Sequence, residues 1–311
     1  MKELVVISGK GGTGKTSVVA AFAALAGNAT LADCDVDAAN LHLVLNPRIQ
    51  ESHDFVGGKT AVIDPEGCTA CGVCAELCRF YAPHDCGLDR LGMPAPYEID
   101  SIACEGCGVC ARFCPEDAIA MEETVNGQWF ISETRHGPMV HARLGIAEEN
   151  SGKLVSLVRE KSREVAASNG RETIIVDGSP GIGCPVIASL TGAKLALVIT
   201  EPTLSGLHDL QRIGQLTGHF GIPTMVSVNK CDLNEDIAER IEVVARESGM
   251  VIGGRIRYDE VFTQAMIHRQ SVVEYTDEGA SADLCKLWDA VQIHLAKGPK
   301  QTTTIGKGDG K

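Results

Sequence analysis

Short runs of aliphatic and β-branched residues mark both ends of the chain. Residues 4–7 form the first, residues 30–32 the second, and residues 173–176, 195–200 and 224–228 continue the series. A helix-length stretch separates most of these runs from the next. Continuous apolarity, without alternation, marks strands buried on both faces, so the pattern predicts an α/β architecture with a doubly wound, mostly parallel sheet. Residues 16–26 are rich in Ala and Val and fit a first helix, and Leu284, Leu287 and Trp288 carry the spacing of a last one. Between roughly 55 and 137 the pattern stops. Cys, Gly and Pro take over, and a short strand pair is expected over residues 121–131 around the turn signal Asn126-Gly127. The expected organisation is a discontinuous main domain (1–55 and 138–296), a small inserted domain (56–137) and a flexible Gly/Lys/Thr-rich tail (297–311).

Charge narrows the choice of partners. The 311 residues hold 28 Lys and Arg against 41 Asp and Glu, a net charge of −13. No such field draws in nucleic acid or an anionic membrane, so neither is expected as a partner. No apolar run reaches transmembrane length, and the start reads as a strand, not a signal peptide, so a cytoplasmic location is expected. Thirteen cysteines are unusual for such a chain, and nine of them fall between Cys68 and Cys114, eight of these in two groups of like spacing. In a reducing compartment that clustering indicates metal binding, not disulfides.

Residues 8–16, Ser-Gly-Lys-Gly-Gly-Thr-Gly-Lys-Thr, fit G-x-x-x-x-G-K-[ST] between a predicted strand and a predicted helix. Glycines let several backbone N–H groups converge on phosphate oxygens, and the helix N-terminus adds partial positive charge. Gly11, Gly12, Thr13, Gly14, Lys15, Thr16 and Ser17 are the expected nucleotide contacts. Lys15 is placed on the β/γ-phosphates and the Thr16 hydroxyl on Mg²⁺. Asp177 closes an apolar run, where a carboxylate serving Mg²⁺ belongs, although a strand-end Asp is also a common helix cap.

With Lys10 included, this loop resembles the deviant Walker A motif of the MinD/ParA/Mrp superfamily of P-loop ATPases, to which the nitrogenase iron protein also belongs. The resemblance implies an ATP-sandwich homodimer in which Lys10 reaches the partner's nucleotide. Asp33-Cys34-Asp35 resembles the family's first switch, which implies that Asp35 orients the attacking water near Mg²⁺. Asp37 has no clear counterpart and reads as a loop carboxylate. Residues 177–183, Asp-Gly-Ser-Pro-Gly-Ile-Gly, resemble its second switch. Asn229-Lys230-Cys231-Asp232 is superficially like the guanine-reading motif of GTPases, but in the resembled family an Asn here contacts adenine, so ATP is preferred to GTP. Arg257 and Tyr258 fall where relatives wall the adenine, with Arg257 standing in place of the usual proline. Cys184, seven residues after Asp177, invites comparison with the iron protein's cluster ligand. A small residue packed near a helix start is the plainer reading. Ser151 reads as a helix cap, and Lys153 as a candidate at the dimer face or a switch.

Two further stretches match each other. Cys68, Cys71, Cys74 and Cys78 repeat 36 residues later as Cys104, Cys107, Cys110 and Cys114, each C-x₂-C-x₂-C-x₃-C. This is similar to the bacterial ferredoxin run, in which the fourth cysteine ligates the other cluster. The resemblance implies one [4Fe–4S] cluster on Cys68, Cys71, Cys74 and Cys114, and a second on Cys104, Cys107, Cys110 and Cys78. Two four-cysteine zinc sites are the alternative. Cys78 is followed by Arg79 where the second run has Pro115, and Cys86 reads as a free thiol outside both sets.

Together these features resemble MinD-superfamily ATPases carrying an inserted bacterial-ferredoxin-like α+β domain. The implied function is ATP hydrolysis, stimulated by a partner, that gates electron transfer from two clusters to a redox or metalloprotein partner. The alternative is ATP-dependent assembly or delivery of an iron–sulfur or other metal centre. No C-x-x-C lies outside the inserted region, which shifts weight to the first.

Overall fold

The structure, a computed structural model, describes residues 1–145 and 151–296. Strand β1 (Lys2–Ser8) leads through the glycine loop into α1 (Lys15–Ala26). Then come β2 (Ala29–Asp33), α2 (Leu41–Leu45) and the long β3 (Arg48–Ile63). The cysteine region holds α3 (Val73–Leu77), β4 (Pro83–His84), β5 (Glu98–Ile99) and α4 (Val109–Phe113). The chain returns through β6 (Ile119–Thr134) and β7 (Gly137–Leu144). It continues through α5 (Ser151–Ser168), β8 (Thr173–Pro180), α6 (Cys184–Leu190), β9 (Leu195–Thr200), α7 (Leu204–His219) and β10 (Thr224–Asn229). The last elements are α8 (Glu235–Glu247), β11 (Val251–Ile256), α9 (Val261–Ile267), α10 (Val272–Tyr275) and α11 (Ala280–Ala296).

Nine strands form one sheet in the order β11-β10-β9-β1-β8-β2-β7-β6-β3. Pairing is parallel from β11 to β7 and antiparallel from β7 to β3. The apolar runs are its centre: residues 4–7 and 196–199 are fully buried. Helices α1 and α11 cover one face, where the rings of Phe22 and Trp288 meet at 4.8 Å. Helices α5, α7 and α8 cover the other. In parallel sheets the carboxyl ends of the strands gather on one edge. That edge carries the glycine loop after β1, Asp33 at the end of β2, Asp177 in β8 and Asn229 at the end of β10.

One expectation of local structure is corrected. Asn126-Gly127 makes no hairpin turn, because residues 121–131 lie within the single sixteen-residue strand β6, paired along its length with β3. The register shifts at Phe55, Val56 and Gly58 absorb the irregularity as bulges, with the Asn126 side chain accepting from Gly57 N at 2.9 Å. The main sheet therefore runs on into the segment expected to be separate. Beyond Gly127, which pairs with Leu144, β6 has only β3 beside it. Residues 56–63 and 119–125 thus leave the sheet as a two-stranded arm, and residues 64–118 sit at its tip. The expected tail 297–311 and residues 147–150 of the re-entry segment lie outside the described residues.

Candidate functional site

The glycine loop is shaped by what surrounds it. Gly12 and Gly14 take φ +81° and +89°, in the left-handed region that favours glycine. A Cβ on Gly14 would run into the Asn229 amide, and one on Gly9 into Asp209. Helix α1 begins after Gly14 with no side-chain cap, leaving its first N–H groups facing the loop.

Lys15 is buried beneath this loop. Its Nζ lies 2.5 Å from Asp177 Oδ1 and 3.4 Å from Asp35 Oδ2. Burial alone would lower the Lys15 pKa, but the charges of Asp177 and Asp35 reverse this and hold it above the usual ammonium value. Burial lifts Asp35 above the ordinary carboxylate range despite Lys15 beside it. Asp177 Oδ2 and Thr13 Oγ1 are buried with no partner among the described residues. Thr16, Asp35 and Asp177 offer only oxygen donors, the chemistry Mg²⁺ requires, and the unsatisfied oxygen of Asp177 fits a metal-bound water.

Three side chains that the motif reading passed over belong to this site. Asp33 is fully buried, accepts from Asp35 N at 3.2 Å and Leu41 N at 3.3 Å, and is lifted to about 8 by burial and by the charge of Asp177. It pairs in register with Asp177 and, like it, ends an apolar run, which was the available signal. Glu201, next after β9, holds two cations: Lys10 Nζ at 3.2 Å and Lys230 Nζ at 2.5 Å. Burial would raise its pKa, and those lysines lower it instead. Lys230 also donates to Gly12 O at 3.2 Å. Lys10 thus rests on its own chain's carboxylate, half exposed at the rim.

The base-side residues also come together. Asn229 Nδ2 donates to Thr13 O at 2.7 Å, which anchors β10 to the loop. Asn229 pairs in register with Ile256, and Asp232 accepts from Tyr258 N at 2.7 Å, so residues 229–232 and 256–258 are neighbours. The Arg257 guanidinium lies on Asp283, with Nε 2.7 Å from Oδ2, while the Tyr258 ring is exposed. Cys184 is exposed at the start of α6, beside Gly152 of α5. Ser151 opens α5, and Lys153 donates to Gly57 O at 3.1 Å, at the root of the arm.

At the tip, no cysteine is joined in a disulfide. Gly72 and Gly108, at φ +78° and +73°, turn the two loops into α3 and α4 in matching fashion. Two small cavities result. One is lined by Cys68, Cys71, Cys74 and Cys114; the other by Cys78, Cys104, Cys107 and Cys110. Each therefore gathers three thiols from one repeat and the last from the other. Burial raises the pKa of Cys74 and Cys110. Four sulfur donors around one enclosed space suit a soft metal centre.

Comparison with known proteins gives the following. The profile of the CobQ/CobB/MinD/ParA nucleotide-binding domain matches residues 4–272. An uncharacterized protein of Methanocaldococcus jannaschii is 32% identical over 75% of this chain and 79% of its own; a second from the same organism is 24% identical over 89% and 94%. Among solved structures, the cell division ATPase MinD of Pyrococcus furiosus superposes with a TM-score of 0.56 at 17% identity, covering 94% of this chain and 98% of its own. MinD of Pyrococcus horikoshii with Mg-ADP gives 0.53 at 16%, covering 93% and 95%. These likenesses extend to the fold. No helix among the described residues is long and apolar enough to cross a membrane.

Proposed function

The chain belongs to the CobQ/CobB/MinD/ParA nucleotide-binding domain family, and from that premise we propose that it is a Mg²⁺-dependent ATPase, dimeric through its nucleotide face, whose nucleotide state gates electron transfer from two [4Fe–4S] clusters to a redox partner. The observation that carries this reading is the division of the eight motif cysteines between two cavities, three plus the crossed fourth in each. That is the ligand distribution of paired cubanes, and each cluster, when held, supplies one-electron chemistry.

The chain's own residues perform the nucleotide part. Loop N–H groups and the α1 N-terminus bind phosphate oxygens. Lys15 would exchange its carboxylate partners for phosphate charge, and Thr16, Asp35 and Asp177 would hold a Mg²⁺ ion, which would neutralise phosphate charge. Asp35 then orients the attacking water. Lys10 leaves Glu201 when a second copy docks and neutralises charge on that copy's phosphates, which makes hydrolysis depend on the dimer.

A connected set of contacts supports the coupling. Val36, after Asp35, accepts from Leu144 N at 3.4 Å; Gly145 N donates to Asn126 O at 2.8 Å; and Asn126 Oδ1 holds Gly57 N. Lys153 reaches Gly57 from α5, whose Gly152 lies against Cys184. Both switch segments thus bear on the bulge where the arm leaves the sheet, so a nucleotide that favours one switch arrangement biases the arm.

The test uses anaerobically purified protein, which should hold about eight irons per chain. Reduced protein is mixed with a one-electron acceptor dye, with ATP, ADP or neither. The expected result is a transfer rate that differs between ATP and ADP while iron stays on the chain. Colourless protein, or a rate indifferent to nucleotide, overturns the reading. Iron leaving the chain with ATP favours delivery of a metal centre instead.

A further inference from the structure

Cys86 lines neither cysteine cavity. It lies instead on a hairpin that the cluster assignment leaves unexplained. Strands β4 and β5 pair antiparallel, Pro83 with Ile99 and His84 with Glu98. The pairing continues outward through Ala95 N to Gly87 O, the Leu88–Pro94 bridge, and Asp89 N to Met93 O. Asp89 closes the tip by accepting from Leu91 N and Met93 N, each at 2.8 Å. In such a hairpin His84 and Cys86 share a face, because they are two residues apart, and Glu98 shares it as the direct partner of His84. A ring nitrogen of His84, the Cys86 thiol and a Glu98 carboxylate oxygen all lie within 4.8 Å of one another.

We propose that His84, Cys86 and Glu98 form a third metal site, for a single Zn²⁺ ion, separate from both cysteine cavities. Imidazole, thiolate and carboxylate are the three zinc donors of proteins, and three protein ligands with one position left for water are the usual set of an open zinc site. The distances fit. His84 Nε2 and Glu98 Oε2 are 3.7 Å apart, beyond a direct hydrogen bond and close to the edge of a tetrahedral zinc shell, roughly 3.3–3.8 Å. Cys86 gives up its proton to solvent on binding. Cys86 and Glu98 also line an open depression of about 960 Å³ shared with Thr60 and Val62 of β3, so the fourth position faces solvent. A two-stranded hairpin is marginal alone in water, and a metal held by His84 and Cys86 on one strand and Glu98 on the other cross-links the two at their base.

The decisive experiment uses the iron-loaded full-length protein, freed of loose metal on a chelating resin and equilibrated with buffered Zn²⁺. Metal analysis should give a single zinc per chain. His84→Ala, Cys86→Ser and Glu98→Gln should each weaken zinc binding at least roughly tenfold with iron per chain unchanged. The zinc K-edge spectrum, blind to iron, should show one sulfur at about 2.3 Å and nitrogen or oxygen at about 2.0–2.2 Å. Equal zinc in wild type and Cys86→Ser overturns the proposal. So does a four-sulfur spectrum, which places zinc in the cysteine cavities, or iron loss in step with zinc. The iron readout keeps this outcome separate from that of the cluster reading.

Discussion

At the scale of single residues, two lysines of one loop have opposite surroundings. Lys15 is buried between carboxylates, so its loss leaves Asp177 and Asp35 facing each other and removes the phosphate contact. Lys15→Ala is expected to abolish ATP binding, measured by calorimetry. Lys10 is half exposed and held by Glu201. Lys10→Ala should bind ATP near the wild-type affinity yet hydrolyse at least roughly tenfold more slowly, and normal turnover would show that Lys10 does not act across a dimer. Glu274 gives a pH prediction. Burial would raise its pKa, but hydrogen bonds from Arg135 and Ser271 bring it down to about 2. Arg135 grips it bidentately at 2.6 and 2.8 Å and also donates to the last carbonyls of α2, Val44 and Leu45. The folded pKa lies below the unfolded one. The stabilisation is therefore complete above the ordinary Glu pKa and is lost as pH falls from there toward 2. Glu274→Gln should cost about 1 kcal/mol near neutral pH, with the gap to wild type closing only in acid, as read from denaturant unfolding.

At the scale of elements, the glycine loop, the parallel strands and the paired cysteine runs were legible, because each rests on local chemistry: apolar runs, left-handed glycines, fixed thiol spacing. The arm was not. Asn126-Gly127 carries the commonest hairpin signal, yet its partner strand is some seventy residues upstream by the pairing of Phe55 with Gly127, and long-range pairing overrode the local turn preference. Glu201 and Asp33 were missed for a related reason. Their roles come from strands placed side by side by the fold, not from neighbours in sequence. The same contacts supply a test. Gly106 takes φ +65°, and a Cβ there would run into the Lys59 carbonyl of β3. Gly106→Ala should push the second cysteine loop off the arm and reduce iron to about four per chain, leaving the first cluster in place. Full iron content would mean the loop tolerates the shift.

For the molecule as a whole, the question is whether hydrolysis and electron transfer are linked. Asn126 bridges Gly145 and Gly57 where sheet becomes arm. Asn126→Ala should retain ATPase activity and iron but lose most of the difference in dye reduction between ATP and ADP. An unchanged difference would show that coupling takes another route, such as the dimer interface.

The arm has the proportions of a lever. Its free part, from Val56 to Ile63 on β3, reaches roughly 25 Å beyond its last foothold on the sheet at about 3.3 Å per residue. A tilt of about 10° at the foot then sweeps the tip through roughly 4 Å. On the proposed function, small rearrangements at the phosphate end would become steps large enough to carry the cysteine-lined cavities toward a partner or away from it.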